Sequence, residues 1–231
     1  MQYSTFLFDA DDTLLDFQKA ERTALRQVLL AFDITPTDEL MDRYSVINAS
    51  LWHAFERGEV TKEDIKNERY RRLFEEFGVG QGINTREVND RYLAFLSQGG
   101  FLVEGAATLC QALKKSGCQL YIITNGVPHT QRMRLEHSGL APLFSDIFVS
   151  EAVGAQKPFK AFFDYVLSHI DEQDKRRILV VGDSLGSDIQ GAVNAGLDCV
   201  WYNPKGRIND RGLPVKREVQ TLAALAAWLG V

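Results

Sequence analysis

Hydrophobic residues follow two different spacings along the chain. Residues 5–8 form a short apolar run that acidic residues end at once, beginning with Asp9 and Asp11. Such a run predicts a strand buried on both faces. From about residue 15 to residue 98 the apolar residues instead recur at helical spacing, and no strand-like segment interrupts them. The pattern predicts an all-helical insert directly after the first strand.

Beyond Gly99 and Gly100 the pattern alternates between helices and strands. Helices are predicted over 106–115, 128–137, 159–169, 187–195 and 222–229, and strands over 120–123, 147–149, 178–181 and 199–202. This alternation predicts an α/β fold, a doubly wound parallel sheet between layers of helices. The first strand is expected to join that sheet, because an isolated strand is not stable. We therefore expect an α/β core of residues 1–14 and 100–231 and a helical bundle domain of residues 15–99.

Composition narrows the classes of protein that fit this pattern. The chain has 231 residues, 45% of them hydrophobic and 25% charged, which is typical of a globular protein. Its net charge of −5 argues against a surface that coats nucleic acid. The longest apolar run, Leu222 to Val231, is about half of a bilayer span, and no signal peptide is visible. The chain has three cysteines and no C-x-x-C pair, so we expect reduced thiols and a cytoplasmic location. From the charge and the apolar runs we expect neither a nucleic acid polymer nor a membrane as partner.

Polar side chains follow four of the predicted strands, at or shortly after the point where each strand ends. They are Asp9 and Asp11, Thr124 and Asn125, Lys157, and Asp183 and Asp188. In an open parallel sheet the carboxyl ends of the strands share one edge, and ligands bind there. The sequence thus predicts one site that contains four carboxylates, a hydroxyl group and an ammonium group.

Several carboxylates at one edge cannot all stay ionised without a counter-charge. Mg²⁺ is the natural counter-ion for a set of oxygen ligands, and Lys157 would add the second positive charge that suits a phosphate. Thr124 and the backbone N–H groups that follow it can hold the remaining phosphate oxygens. Asp9 can then attack phosphorus, while Asp11 protonates the leaving oxygen and later deprotonates water.

Each motif by itself has an ordinary structural interpretation. Asp-x-Asp after a strand is often a helix N-cap, Thr-Asn-Gly is typical of a hairpin turn, and acidic residues suit a helix N-terminus. The segment after Gly126 is helical rather than a returning strand, which argues against the hairpin. Four motifs in order, each near a strand end, favour a catalytic site.

The ordered motifs resemble those of the haloacid dehalogenase-like (HAD) hydrolases. They are Phe8 to Leu14, Ile123 to Gly126, Gln156 to Pro158, and Gly182 to Asp188. The resemblance implies that Asp9 is the nucleophile, Asp11 the general acid and base, and Thr124, Asn125 and Lys157 the phosphate-binding residues. It also implies Mg²⁺ held by Asp9, the backbone carbonyl of Asp11 and Asp183, with Asp188 in support. The insert looks like the family's helical cap, and Asp12 replaces a glycine usual in the family.

Softer features resemble the bacterial pyrimidine 5′-nucleotidases within this superfamily. They are the Phe8–Leu14 motif, Leu51-Trp52, Ile123–Gly126, Arg134–Glu136 with Ser138–Leu140, and Ser150–Gly154. This resemblance implies a small phosphate monoester as the substrate, a pyrimidine nucleoside monophosphate. A phosphatase of a sugar phosphate or phosphoglycolate, or a phosphomutase, remains an alternative. Dehalogenase chemistry is disfavoured, because a departing halide needs no proton and the acid at Asp11 is present.

Two further features have competing interpretations. Gly182 to Gly186 matches the serine-hydrolase elbow G-x-S-x-G, but no histidine follows Ser184 in the chain, so we interpret the match as accidental. Trp52 is a candidate for stacking on a nucleobase, although its helical spacing equally fits the core of the insert. No pattern in the sequence predicts an oligomeric state.

Overall fold

The computed structural model describes residues 2–231, which divide into two compact units. One unit contains the residues up to Asp16 together with Gly100–Val231, and the other contains Phe17–Gly99. Within residues 2–231, no helix is both long enough and apolar enough to cross a membrane.

The larger unit is built on a six-stranded parallel sheet, which confirms the predicted fold class. The strands are β1 (Thr5–Phe8), β2 (Gln119–Thr124), β3 (Asp146–Val149), β4 (Ile178–Gly182), β5 (Asp198–Tyr202) and β6 (Arg217–Val219). Their order in the sheet is β3-β2-β1-β4-β5-β6. Phe8, the last residue of β1, is in register with Ile122 of β2 and Val181 of β4. The first strand is therefore central, and the ends of β2, β1 and β4 lie side by side.

Helices cover both faces of this sheet. They are α5 (Ala106–Lys115), α6 (Pro128–His137), α7 (Ser150–Val153), α8 (Lys160–Ser168), α9 (Gln190–Ala195) and α10 (Leu222–Leu229). Phe6 and Phe8 of β1 pack in one hydrophobic core with Leu109 of α5 and Leu222 of α10. Leu7 points into the opposite core, with residues of α8 and α9. Burial on both faces explains why β1 has no alternation of polar and apolar residues.

The structure corrects three details of the predicted elements. The helix expected over 187–195 begins instead as a π-helical turn, Leu185–Ile189, and continues as α9. The short helix α7 was not predicted. Strand β6 was also missed, because two of its three residues, Arg217 and Glu218, are exposed and only Val219 is buried.

The smaller unit is all-helical, as its spacing predicts. Its helices are α1 (Phe17–Ala31), α2 (Asp38–Glu56), α3 (Lys62–Phe77) and α4 (Thr85–Leu96). Threonine side chains cap the N-termini of α2 and α3, at Thr37 and Thr61. Arg69 is buried in this bundle and donates hydrogen bonds to Asn48 (3.2 Å) and Asn89 (2.5 Å), a polar core that hydrophobic spacing does not reveal.

Candidate active site

The parallel register of β2, β1 and β4 places the predicted site residues at one edge of the sheet. Asp9 directly follows β1, Thr124 is the last residue of β2, and Asp183 directly follows β4. The backbone N–H of Asp9 extends the ladder by donating to the carbonyl of Val181 at 2.9 Å. The backbone positions of these residues are thus set by the hydrogen bonds of the sheet, independently of their side chains.

Three carboxylates form a compact cluster at this edge. Oxygen atoms of Asp9, Asp183 and Asp188 lie within 4.8 Å of one another. Lys157, which is only 1% exposed, places its Nζ 2.7 Å from Oδ1 of Asp9 and 2.7 Å from Oδ1 of Asp188. Its third hydrogen bond is donated to the carbonyl of Ile123 at 2.9 Å, so all three ammonium protons have a partner.

Local backbone features bring Asp188 into the cluster. Ser184 caps the N-terminus of the π-helical turn, and its hydroxyl accepts a hydrogen bond from the N–H of Ser187 at 3.2 Å. Asp188 in turn accepts from the N–H of Ser184 at 3.1 Å. A Cβ atom at Gly182 would lie 2.3 Å from Cγ of Asp188, so any larger residue there would displace the carboxylate.

The cluster has more negative than positive charge. Burial raises the pKa of Asp9 well above its ordinary value, and Asp188 adds to the rise while Lys157 opposes it. Burial, followed by the charges of Asp188 and Asp12, raises the pKa of Asp183 to about 8. Burial alone would lower the pKa of Lys157, but its two aspartate partners outweigh that effect and raise it. Oxygen donors that are close together and short of positive charge fit a hard divalent cation such as Mg²⁺.

The side chain of Asn125 holds the loop that carries Lys157. Its Nδ2 donates to the carbonyl of Lys157 at 3.0 Å, and its Oδ1 accepts from the N–H of Lys157 at 3.0 Å. The side-chain amide of Asn125 is therefore engaged with the backbone, and binding of phosphate by Asn125 stays a prediction. Thr124, also predicted to bind phosphate, is buried, and its hydroxyl accepts from the N–H of Gly126 at 3.0 Å.

Asp11 has different neighbours from the three clustered carboxylates. Its Oδ2 accepts a hydrogen bond from Nε2 of Gln131 at 2.8 Å, and its Oδ1 forms an ion pair with Arg134. Neither partner was predicted to be a site residue. Both partners lie on one face of α6, three residues apart, and a Cβ atom at Gly126 would come within 2.7 Å of the Gln131 side chain.

Comparison with known proteins places this geometry in a family. The profile of the haloacid dehalogenase-like hydrolases matches residues 3–196. The chain belongs to that family. YfnB of Bacillus subtilis, whose name places it in the same family, is 42% identical over 230 residues, which span 100% of this chain and 97% of YfnB. The crystal structure of magnesium-bound YfnB matches with a TM-score of 0.92 and 41% identity, and the match covers all of both chains.

Two further relatives of this HAD hydrolase are named pyrimidine 5′-nucleotidases. PynA of Streptococcus pneumoniae is 39% identical, and the match covers 88% of this chain and 85% of PynA. YjjG of Escherichia coli is 32% identical, and the match covers 99% of both chains.

The HAD hydrolase departs from the usual family motif at Asp12, which occupies a glycine-like conformation. Its φ of 56° lies in the left-handed region, which aspartate tolerates better than most residues. The turn closes with a hydrogen bond of 2.8 Å from the N–H of Asp12 to the carbonyl of Leu15. Asp12 thus provides, directly after Asp11, a left-handed turn of the kind that glycine readily adopts.

Arg207 is a further neighbour of the site that the sequence analysis missed. It follows β5 and donates through Nη2 to the carbonyl of Asp183 at 2.7 Å and to Oδ2 of the same residue at 3.3 Å. Trp201 donates to the same carbonyl at 2.9 Å. The residue after β4 is therefore held from two sides.

The remaining predictions concern Ser184 and Trp52. All four histidines of the chain are exposed, and the Ser184 hydroxyl acts as a helix cap, which gives the serine-hydrolase interpretation no support. Trp52 lies on α2, where it is partly buried and packs edge-on against Phe55 with ring centroids 5.7 Å apart. Its role in base recognition stays a prediction.

Proposed function

We propose that this HAD hydrolase is a Mg²⁺-dependent phosphomonoesterase that acts through an aspartyl-phosphate and prefers pyrimidine nucleoside 5′-monophosphates. The observation that carries the proposal is the difference between two carboxylates only two residues apart. Asp9 belongs to a buried cluster with Lys157, whereas Asp11 faces Gln131 and Arg134. Two carboxylates in different environments suit two different tasks, those of a nucleophile and of an acid and base.

In the proposed first step, Asp9 attacks phosphorus and the bond from phosphorus to the ester oxygen breaks. Thr13 donates to Oδ2 of Asp9 at 3.2 Å, and Lys157 contacts Oδ1, so both carboxylate oxygens are oriented. Asp11 protonates the departing oxygen. In the second step a water molecule attacks phosphorus, Asp11 accepts its proton, and Asp9 is released as inorganic phosphate leaves.

The carboxylates of Asp9 and Asp183 and the backbone carbonyl of Asp11 would hold the metal ion, with Asp188 in support. When bound, Mg²⁺ supplies positive charge that balances the cluster and the phosphate. The bound magnesium in the crystal structure of YfnB supports this assignment.

The substrate class rests on the relatives and on the insert. PynA and YjjG, both named pyrimidine 5′-nucleotidases, support a nucleotide as the substrate. The phosphate chemistry is the same for any ester, so discrimination must come from groups that contact the rest of the substrate. We propose that Trp52 is one of these groups. The three cysteines are buried free thiols, typical of a reducing compartment, and we propose a cytoplasmic location.

The proposed nucleophile is tested with Asp9→Asn, which is expected to lose at least about a hundredfold in kcat because an amide cannot attack phosphorus. Ser184→Ala is the matched control, and it should retain most of the activity because its hydroxyl serves as a cap. Phosphate release is measured with uridine, cytidine and adenosine 5′-monophosphates, a sugar phosphate and phosphoglycolate, each with Mg²⁺ and with EDTA. An active Asp9→Asn enzyme or full activity in EDTA would contradict the mechanism, and a preference for the sugar phosphate would overturn the substrate class.

A further inference from the structure

One face of helix α6 contacts Asp11 through two side chains that lie three residues apart. Gln131 donates to Oδ2 of Asp11 at 2.8 Å, and Arg134 pairs with Oδ1. Each carboxylate oxygen thus has its own donor. Two donors on separate oxygens fix the rotation of a carboxylate, which a single contact would leave free.

The two donors are themselves held in place. Arg134 is 0% exposed, and its Nη1 also donates to Oε1 of Gln131 at 3.0 Å. Gln131 is buried as well, and the absence of a side chain at Gly126 leaves it room. A full positive charge without contact with solvent requires a negative partner, and Asp11 is the carboxylate with which it pairs.

The amide of Gln131 also connects Asp11 to the phosphate side of the site. Its Nε2 donates to Oγ1 of Thr124 at 2.9 Å as well as to Asp11. Thr124 is fixed by strand β2, whereas Asp11 lies on a turn and its side chain is 30% exposed. The Gln131 amide, which contacts both residues, thus sets the position of the Asp11 carboxylate relative to Thr124 at the end of β2.

We propose that Gln131 and Arg134 are positioning residues that aim the Asp11 carboxylate at the leaving oxygen and keep it in register with Thr124. The proposal rests on the proposed function, in which Asp11 serves the leaving group. Removal of either donor frees the rotation of Asp11 while Asp9, Lys157 and the metal ligands keep their contacts. In the first step, the cost therefore falls on esters whose leaving group needs a proton, whereas any loss in the second step is the same for every ester.

The test compares kcat/KM for two esters that carry no base, ethyl phosphate and p-nitrophenyl phosphate. This constant reports the steps up to departure of the leaving group, so it excludes the later hydrolysis of the aspartyl-phosphate, which is common to both esters. The ethoxide leaving group needs protonation, whereas p-nitrophenolate needs little. Asp11→Asn should lower the ratio of kcat/KM for ethyl phosphate to kcat/KM for p-nitrophenyl phosphate by roughly a hundredfold, within the usual range for general acid catalysis. Arg134→Met and Gln131→Met should each lower that ratio by about tenfold, a partial loss because an intact Asp11 still reaches the leaving oxygen in part of its rotations. Arg132→Met is the control, because it also removes one arginine from α6 but at an exposed position, and it should leave the ratio unchanged.

A double-mutant cycle separates positioning from a general structural role. In the Asp11→Asn background, Arg134→Met should change the ratio less than about twofold, because the group that it positions is gone. Gln131→Met keeps the buried ion pair between Arg134 and Asp11, so this variant tests the proposal even if Arg134→Met does not fold. An equal loss on both esters would overturn the proposal, and so would a gain on ethyl phosphate, which would mean that Arg134 holds Asp11 away from the substrate. If Asp11→Asn itself leaves the ratio unchanged, the proposed function fails instead.

Discussion

Replacing Lys157 by methionine should destabilise the protein as well as inactivate it. The ammonium group lies 2.7 Å from both Asp9 and Asp188, and the lysine side chain is only 2% exposed. Methionine fills a similar volume but leaves two buried carboxylates without their cation. Removing one partner of a buried ion pair costs about 3–5 kcal/mol. For a chain of this size, that cost corresponds to a fall in Tm of roughly 6–20 °C.

Lys160→Met is the matched control, because it removes the same charge three residues away. Lys160 pairs with Asp164 at 2.5 Å, but the two side chains are 60% and 50% exposed. Such a helical surface pair contributes about 0.3–0.5 kcal/mol, so Tm should fall by no more than about 2 °C. Thermal unfolding followed by circular dichroism, in EDTA at pH 8, measures both variants.

The pH dependence of this loss has a definite sign. Burial already raises the pKa of Asp9 above its unfolded value and Lys157 opposes that rise, so with the cation gone the folded pKa of Asp9 lies still higher. Protonation of Asp9 stabilises the folded state at low pH, and this stabilisation is lost as pH rises through the folded pKa. The deficit of Lys157→Met should therefore shrink towards pH 4. A deficit no larger than that of Lys160→Met, or one that grows as pH falls, would refute the assignment of Lys157 as the counter-charge.

Asp183 and Trp52 each provide a further test. Because the pKa of Asp183 is raised to about 8, the metal-free protein should lose stability as pH rises from about 4 to 8. Mg²⁺ should therefore raise Tm more at pH 8 than at pH 5. An equal rise in Tm at both pH values would contradict this prediction. Base stacking contributes about 1–3 kcal/mol, so Trp52→Ala should raise KM for uridine 5′-monophosphate roughly tenfold and leave p-nitrophenyl phosphate nearly unaffected. Equal losses on both substrates would assign Trp52 to the core of the insert alone.

Residues at strand ends were predictable because their position depends on local pattern and on one rule of topology. The apolar run of β1 ends at Asp9 and that of β4 ends just before Asp183, and parallel pairing places both at the same edge. Lys157 could be placed near them only because its motif was considered with the others. Its three hydrogen bonds at Nζ connect residues far apart in the chain.

Arg134 and Gln131 escaped prediction for a physical reason. Arginine and glutamine are mostly exposed in proteins, so spacing alone assigns them to the solvent face of a helix. On α6 they are buried because Asp11 and Thr124, from two other segments, provide their partners. A buried polar residue is recognised by its partners, and hydrophobic periodicity carries no information about those.

The two aspartates of the first motif show how one short turn serves two environments. Asp9 shares a single lysine with Asp188 in a cluster with too little positive charge, which opposes folding but favours a cation. Asp11 has its own buried arginine and takes no part in that cluster. The left-handed backbone at Asp12 sets the direction of the chain beyond the pair. Separate environments let one carboxylate bond to phosphorus while the other handles protons, a division of labour that two carboxylates in one shared cluster could not maintain.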